Sequence, residues 1–261
     1  MDIGAELRAN LLLGVLPAPV LRRVAPGLLV LDVRRGQILH DADELRDRVT
    51  LPLSAVLSVA VPDRSGISVS VGLIGREGAV GLTAALASVE PSAEVACVIE
   101  GRVAAVPNQD FSALVEESAV FRRAVIRYLS MQLLDVVQVA ACNRIHALDE
   151  RVASWLLTLR DRSGRDELPI THETLATLLG ASRPKVSSVL EDLERRSLLT
   201  KDRGVLRIVD AAGLQETTAG CYAIVRDATR SLAAALDADH ETHPEPPGGV
   251  TAEVGLAEAG V

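Results

Sequence analysis

Hydrophobic positions recur along this chain in two rhythms, and the change of rhythm divides it. Between Leu28 and Val106 the apolar residues come in short runs: "LLVLDV", "SAVLSVAV", "ISVSVGLI", "EVACVI" and "RVAAV". Turn signals separate them, namely "RRGQ", "PDRSG", "GREG" and "IEG". Short strands between glycine-containing turns predict a small β-barrel or roll. From about 118 to 143 the period lengthens. Ile126, Leu129, Leu133, Val136 and Ala140 recur at spacings of three and four, and Leu134 and Val137 widen the stripe. A helix of this length spans roughly 39 Å. One flank can cover the barrel while the seam meets a second copy of itself. The same pattern also fits an ordinary core helix. Residues 4–26 read as short helices broken by "LPAPV", and 108–117 as a brief helix.

The C-terminal third follows the helical rhythm. A helix over about 147–162 carries Val152, Trp155, Leu156 and Leu159, and "RSGRDE" follows as a loop. Two short amphipathic helices come next in "THETLATLLGASRPKVSSVLEDLERR". "LLTKDRGVLRIVD" then reads as a β-hairpin turning at Lys201–Gly204, and Asp210 can cap a last helix to about Val225. This is the order of a winged helix-turn-helix. Such a crossing needs a small residue where the helices touch, a glycine at φ > 0 in the turn, and an apolar plug in the second helix. Ala176, Gly180 and Val186 supply these, and Leu175, Leu179 and Val189 fill the other inner positions. A plain helical hairpin is the competing reading, and the wing counts against it.

The second helix of such a unit enters the major groove by its N-terminal end. Ser182 stands at its N-cap and Pro184 in its first turn, where a missing N–H costs nothing. Arg183, Ser187 and Ser188 are the candidate base contacts, Arg183 as a bidentate donor to guanine. The two serines are equally compatible with a solvated helix face. Thr171, His172, Ser182, Lys185, Lys201 and Arg203 are the candidate backbone contacts, with Lys185 suited to a phosphate.

Composition narrows the reading. Hydrophobic residues make up 48% and aromatics only 2%, so Leu, Val, Ile and Ala must build the core. A net charge of −8 argues against a general nucleic-acid binder. By segment the charge is −3 over 1–142, +1 over 143–215 and −6 over 216–261, so the helix pair lies in the least acidic third. Residues 226–261 are dominated by Ala, Glu, Pro and Gly and read as a disordered acidic tail. "HETH" at His240–His243 falls there and is not taken as a metal site. Cys97, Cys142 and Cys221 are odd in number, far apart and without CxxC spacing. Neither a zinc knot nor a disulfide framework is expected, and a reduced cytosol fits. Cys97 and Cys142, on an apolar strand and helix, read as inert. His40 and His146 stand alone and read as structural. No charged-then-apolar leader opens the chain, and no apolar run reaches about 18 residues without a charge or turn, so a spanning helix is not expected. No GxSxG, P-loop or paired carboxylates in a glycine-rich setting point to an enzyme, and no metal or cofactor is implied.

Over about residues 5–222 the chain resembles the Crp/Fnr superfamily of bacterial transcription regulators. "THETLATLLGASRPKVSSVLEDLERRSLL" with the hairpin after it is similar to that family's DNA-binding domain. "VGLIGREGAVGL", the long helix and "AACNRIHALDERVASWLL" are similar to its sensory domain, dimer helix and hinge. The resemblance implies an α+β chain. It would comprise a cyclic-nucleotide-binding-like β-roll (1–117), a dimerisation helix and hinge (118–144), and a Crp-type winged helix-turn-helix domain (145–213). It also implies a cytoplasmic homodimer joined along Ile126, Leu129, Leu133, Val136 and Ala140. Its partner would be a palindromic double-stranded operator, with RNA polymerase added if it activates, and no membrane. The hinge would lie near Asn143–Leu148.

Departures from the family limit the analogy. Members that bind cyclic AMP use a Gly-Glu pair, an Arg-Ser pair and a Thr-Ser pair. Gly81-Leu82, Pro91-Ser92 and Val136-Val137 stand there. The effector is therefore unknown and not expected to be cyclic AMP. The oxygen-sensing branch needs an N-terminal cysteine cluster, and residues 1–30 have no cysteine. Pro184 and Ser188 occupy the places of base-reading Glu and Arg in better-known branches, so no operator sequence is carried over. The rival function is a small-molecule sensor whose winged helix contacts a protein. Arg183 and Lys185 favour DNA.

Overall fold

The computed structural model describes residues 3–39, 47–62, 68–89 and 93–242. Three short helices open it, α1 (Ile3–Leu7), α2 (Leu11–Gly14) and α3 (Ala18–Val24). Buried Asn10 fixes them to the rest. Its side-chain oxygen accepts from Leu12 N at 3.0 Å, and its amide donates to the carbonyls of Pro52 and Gly78 at 3.0 and 2.9 Å.

The roll comprises β1 (Leu29–Val33), β2 (Arg48–Pro52), β3 (Val56–Pro62), β4 (Ser68–Ile74), helix α4 (Leu82–Ala87), β5 (Glu94–Ile99) and β6 (Gly101–Pro107). Two antiparallel sheets form, in the orders β1-β6-β2 and β4-β3-β5. Their shared core includes Val33, Leu57, Ile74, Val95, Cys97, Val103 and Ala105. Gly101 makes the β5–β6 reversal possible, since a Cβ there would lie 2.6 Å from Ala55 N. Strand β2 is absent from the runs read in the sequence. Four of its five residues are buried in succession, so it shows no alternation to read. Desolvation, and then the nearby Glu100 carboxylate, push the Cys97 thiol up to about 12, which keeps it protonated.

Helix α5 (Asn108–Glu117) leads into α6 (Ala119–Ile145), capped by the Ser118 hydroxyl. Phe121, Ala124, Val125, Tyr128 and Met131 bury one face of α6 against the roll and its flanking helices. The opposite face leaves Ile126, Leu133, Val136 and Val137 exposed at 56, 66, 37 and 52%. Ala140 is exposed too, while Leu129 is half-buried on the flank. Among the described helices, α6 is long and apolar enough to cross a membrane by length and composition alone.

The chain continues through α7 (Leu148–Ser163), β7 (Glu167–Leu168), α8 (His172–Leu179), α9 (Arg183–Arg195), β8 (Leu199–Asp202) and β9 (Val205–Ile208). It ends in α10 (Ala211–Glu216) and α11 (Cys221–Thr242). The wing is a three-stranded sheet in the order β7-β9-β8. Val152, Trp155, Leu156 and Leu159 of α7 are buried as their spacing predicts. They share one cluster with Val56, Leu73, Val98 and Ile99 of the roll and with Leu175, Leu179, Val186 and Leu190. The winged helix is thus docked on the β4-β3-β5 sheet.

A buried ionic link accompanies that docking. Arg162 on α7 reaches Glu77, in the turn after β4, at 3.2 Å and Asp135 of α6 at 3.7 Å, and it donates to Thr229 of α11 at 3.3 Å. Desolvation raises the Asp135 carboxyl to about 6, against the opposing pull of Arg162.

Three expectations need correction. Residues 226–242 are not a disordered tail but the greater part of α11, whose Leu232 and Leu236 are buried in the core that α6 covers. Tyr222, Val225, Leu232 and Leu236 form a helical stripe that the tail's average composition conceals. Second, Cys142 near the end of α6 is joined by a disulfide to Cys221, the first residue of α11, across 79 residues. Pairing over that distance leaves no local spacing to recognise. Third, His146 is not isolated. Its ring and the two sulfurs place three donor atoms within 4.8 Å of one another, so a candidate metal-ligand cluster exists where none was expected. His40, Pro91, Ser92 and His243 lie outside the described residues.

Leu236→Ala is expected to lower the unfolding free energy by about 2–5 kcal/mol in a urea titration. An unchanged midpoint would mean that the α11 packing contributes nothing.

Candidate nucleic-acid interface

The crossing of α8 and α9 is built from the residues its geometry demands. Ala176 is buried at the contact, and Val186 and Leu190 of α9 are fully enclosed. Gly180 closes α8 in the left-handed region at φ 60° and ψ 37°. The Ala181 N–H then returns to the Ala176 carbonyl at 3.0 Å, a helix-ending turn that a β-carbon would strain. The Thr171 hydroxyl caps α8, accepting from Thr174 N at 3.1 Å. Ser182 occupies the N-cap of α9 with extended backbone but makes no side-chain cap bond, contrary to expectation. Pro184 falls in the first turn as predicted.

The nominated side chains divide into two groups. Arg183, Lys185 and Ser188 on α9, Ser182 before it and Arg203 at the wing tip all face solvent. The others are engaged within the chain. Ser187 is half-buried, its hydroxyl 2.9 Å from His172 Nδ1, so these two tie α9 to α8. Desolvation first, and then Lys201 and Arg183, hold the His172 pKa below its ordinary value. The ring is therefore neutral at neutral pH. The Lys201 ammonium lies 2.8 Å from Glu194, whose other oxygen accepts the Lys201 N–H at 3.2 Å. This brace holds the wing to α9 and occupies Lys201. Glu173 was not singled out from the sequence. Its carboxylate lies 3.8 Å from Arg183 Nε, both side chains being well exposed. A contact so long and so wet is worth little, and a phosphate or base can displace it.

Comparison with known proteins places this geometry. Residues 150–217 match the family model of the Crp-like helix-turn-helix domain. This part of the chain is a Crp-like helix-turn-helix domain. No curated protein matches the chain by sequence. Among solved structures, FixK2 from Bradyrhizobium japonicum superposes with a TM-score of 0.63 at 14% identity, covering 74% of this chain and 98% of that one. A CRP/FNR-family transcriptional regulator from Thermus thermophilus gives 0.58 at 21%, covering 72% and 97%. The c-di-GMP-responsive global regulator CLP from Xanthomonas campestris gives 0.59 at 16%, covering 74% and 99%. Identities this low establish the fold alone. Over about three quarters of its length the chain has the Crp/Fnr fold, with its cyclic-nucleotide-binding-like roll, long helix and Crp-like C-terminal domain.

Among the described residues, little space is left between the roll and α6. The cavity there measures about 30 Å³ and is lined by Val59, Leu73, Met131 and Val136 together with Glu77, Asp135 and Arg162. Tyr128 also lines it, donating its hydroxyl to the Ala79 carbonyl at 3.0 Å. Leu82 is buried at the start of α4. Val136 lies at the edge of this space, 37% exposed, and Val137 faces solvent.

Proposed function

We propose that this chain is a cytoplasmic, sequence-specific transcription regulator without enzymatic activity, which binds a palindromic operator as a homodimer. The observation that carries the reading is the start of α9. Arg183 and Lys185 stand exposed at the N-terminal end of the second helix of a Crp-like unit. That end of such a helix enters the major groove, where an arginine can donate two hydrogen bonds to guanine O6 and N7. Ser188 follows on the exposed side and suits a base edge or a bridging water. Lys185, Ser182 and Arg203 suit phosphates, and the capped start of α8 at Thr171 presents N–H groups for another. Ser187, His172 and Lys201 serve better as braces for this surface than as contacts with it.

Dimerisation along α6 is supported by its exposed stripe. Ile126, Leu133, Val136 and Ala140 lie on one solvent-facing side of a helix whose other side is buried. A second copy of the helix, packed at the same seam, would remove that apolar surface from water. It would also present two recognition helices to half-sites about one helical turn apart.

The effector is not cyclic AMP on this reading. Drug-sized ligands occupy pockets of roughly 300–1,000 Å³. The space beside α6 is about 30 Å³ and holds two carboxylates, which would repel a phosphate. Its one cation, Arg162, is already committed to them.

Footprinting of genomic fragments bound by the purified chain tests the function directly. Symmetric protected half-sites support it, and binding without sequence preference would overturn it. Arg183→Ala is expected to weaken binding to the best site by about 1–3 kcal/mol without shifting the melting temperature. Equal affinity of parent and variant would remove Arg183 from the base contacts. Leu133→Glu is expected to give monomers in sedimentation and weak operator binding, whereas a monomeric parent at micromolar concentration would rule out the α6 dimer. Titration calorimetry with cyclic AMP is expected to show no saturable heat. A micromolar isotherm at one site per subunit would refute the filled-roll reading.

A further inference from the structure

Cys142, His146 and Cys221 meet where α6 ends and α11 begins, beside the turn into α7. Cys142 lies in the last turn of α6 and His146, four residues on, is its C-cap, so the two lie on the same side of the helix end. The His146 N–H returns to the Cys142 carbonyl at 3.0 Å, which holds the pair in register. Cys221 is the first residue of the 22-residue helix α11, and the positive end of that helix favours thiolate over thiol. The Cα atoms of the two cysteines are 6.9 Å apart, a separation that lets the sulfurs either bond to each other or share an ion. All three residues are half-buried, shielded from bulk water yet reachable by a solute.

We propose that, in its reduced form, this cluster binds one soft divalent metal ion of the zinc class, and that the disulfide is its oxidised, metal-free form. Two thiolates and an imidazole make a nitrogen–sulfur donor set that suits zinc-class ions and is foreign to calcium or magnesium. Donors about 2.0–2.3 Å from one tetrahedral centre lie within about 4 Å of each other. The three donor atoms here lie within 4.8 Å before any ion draws them in. Glu150 strengthens the assignment. Its carboxylate is 3.4 Å from His146 Nδ1 and is fixed in place by accepting the Ala147 N–H at 2.8 Å. A carboxylate behind the imidazole is the usual support of a metal-binding histidine, since it fixes the ring and leaves the other nitrogen its lone pair. A simple structural disulfide would make no use of the His146 imidazole, although Glu150 also caps α7. Three protein donors leave a fourth position open. Both cysteines line a cavity of about 50 Å³ with Leu73, Val139 and Trp155, enough for a water molecule as fourth ligand.

The chemistry balances. A dithiol reductant supplies two electrons and two protons to the Cys142–Cys221 bond and becomes a disulfide itself. The two protein thiols then lose their protons as the ion binds. Either cross-link ties the end of α6 to α11, but only the ion also engages His146, the residue that joins α6 to α7.

The test is cobalt(II) titration of the full, untagged chain after phosphine reduction without oxygen. Thiolate-to-cobalt charge-transfer absorption with tetrahedral visible bands is expected, saturating at one ion per chain and bleached by zinc. Cys142→Ser and Cys221→Ser should each abolish the charge-transfer band, and Cys97→Ala should leave it unchanged. Glu150→Gln should weaken binding by about 10-fold or more. His146→Ala should weaken it and alter the visible bands, an effect that a purely structural role would not produce. Circular dichroism identifies any variant that fails to fold, and His146→Cys, which restores a donor, then serves in place of His146→Ala. Failure of the fully reduced parent to bind saturably, or binding indifferent to both cysteines, would overturn the proposal. Neither outcome bears on whether α9 reads DNA.

Discussion

One guanidinium sets the relative placement of everything else. The Arg162 side chain is only 4% exposed, yet it touches the roll through Glu77, the long helix through Asp135 and the last helix through Thr229. Removing one member of such a buried group leaves an uncompensated charge and costs about 3–5 kcal/mol, although an apolar replacement of the whole set can be neutral. The link therefore contributes less as net stability than as geometry. Its partners sit on separate elements, so only one arrangement of those elements satisfies them together. Glu77 is itself held by the Gly75 N–H at 2.8 Å, and a side chain at position 75 would press on Arg162. Any rotation of α7 relative to the roll must either carry these carboxylates with it or strand them.

Apolar packing reinforces the same restriction. Leu73, Val98 and Ile99 of the roll lie in one cluster with the inner residues of α7, α8 and α9. The domain that carries the recognition helix is thus not hung on a linker. Arg35, near the end of β1, also donates to the Pro169 carbonyl at 2.8 Å. In this arrangement, repositioning α9 relative to the roll means uncovering apolar surface. A transition of this kind passes between two packed arrangements rather than through a continuum.

Much of this was legible in the sequence, and the failures share a cause. The helix-turn-helix was readable because its constraints fall within a few turns of chain: Ala176, Gly180 and Val186 each have one local job. The strands of the roll were readable where one face is wet, and β2 was not because both its faces are covered. Glu77 in "GREG" and Arg162 at the head of "RSGRDE" look like solvated turn residues. Only the tertiary fold buries them against each other. Cys142 and Cys221 carry no shared spacing, and the stripe of α11 was averaged away by the residues after it. Among the interface candidates, exposure at Arg183 and Lys185 followed from helical phase. The engagement of Ser187 by His172 and of Lys201 by Glu194 depends on side-chain partners that periodicity does not encode.

The packing of Tyr128 ties two distant positions to each other. A β-carbon at Gly78 would lie 2.1 Å from the Tyr128 ring, closer than non-bonded carbon atoms approach. The tyrosine can stay only while position 78 has no side chain. A lineage that reopened this space for a ligand would first have to give up Tyr128, which frees position 78 to vary. One that kept the tyrosine would keep the glycine, however far the rest of the roll diverged. Position 78 should therefore vary only where Tyr128 has been lost, and a side chain there marks a roll whose long helix no longer carries this tyrosine.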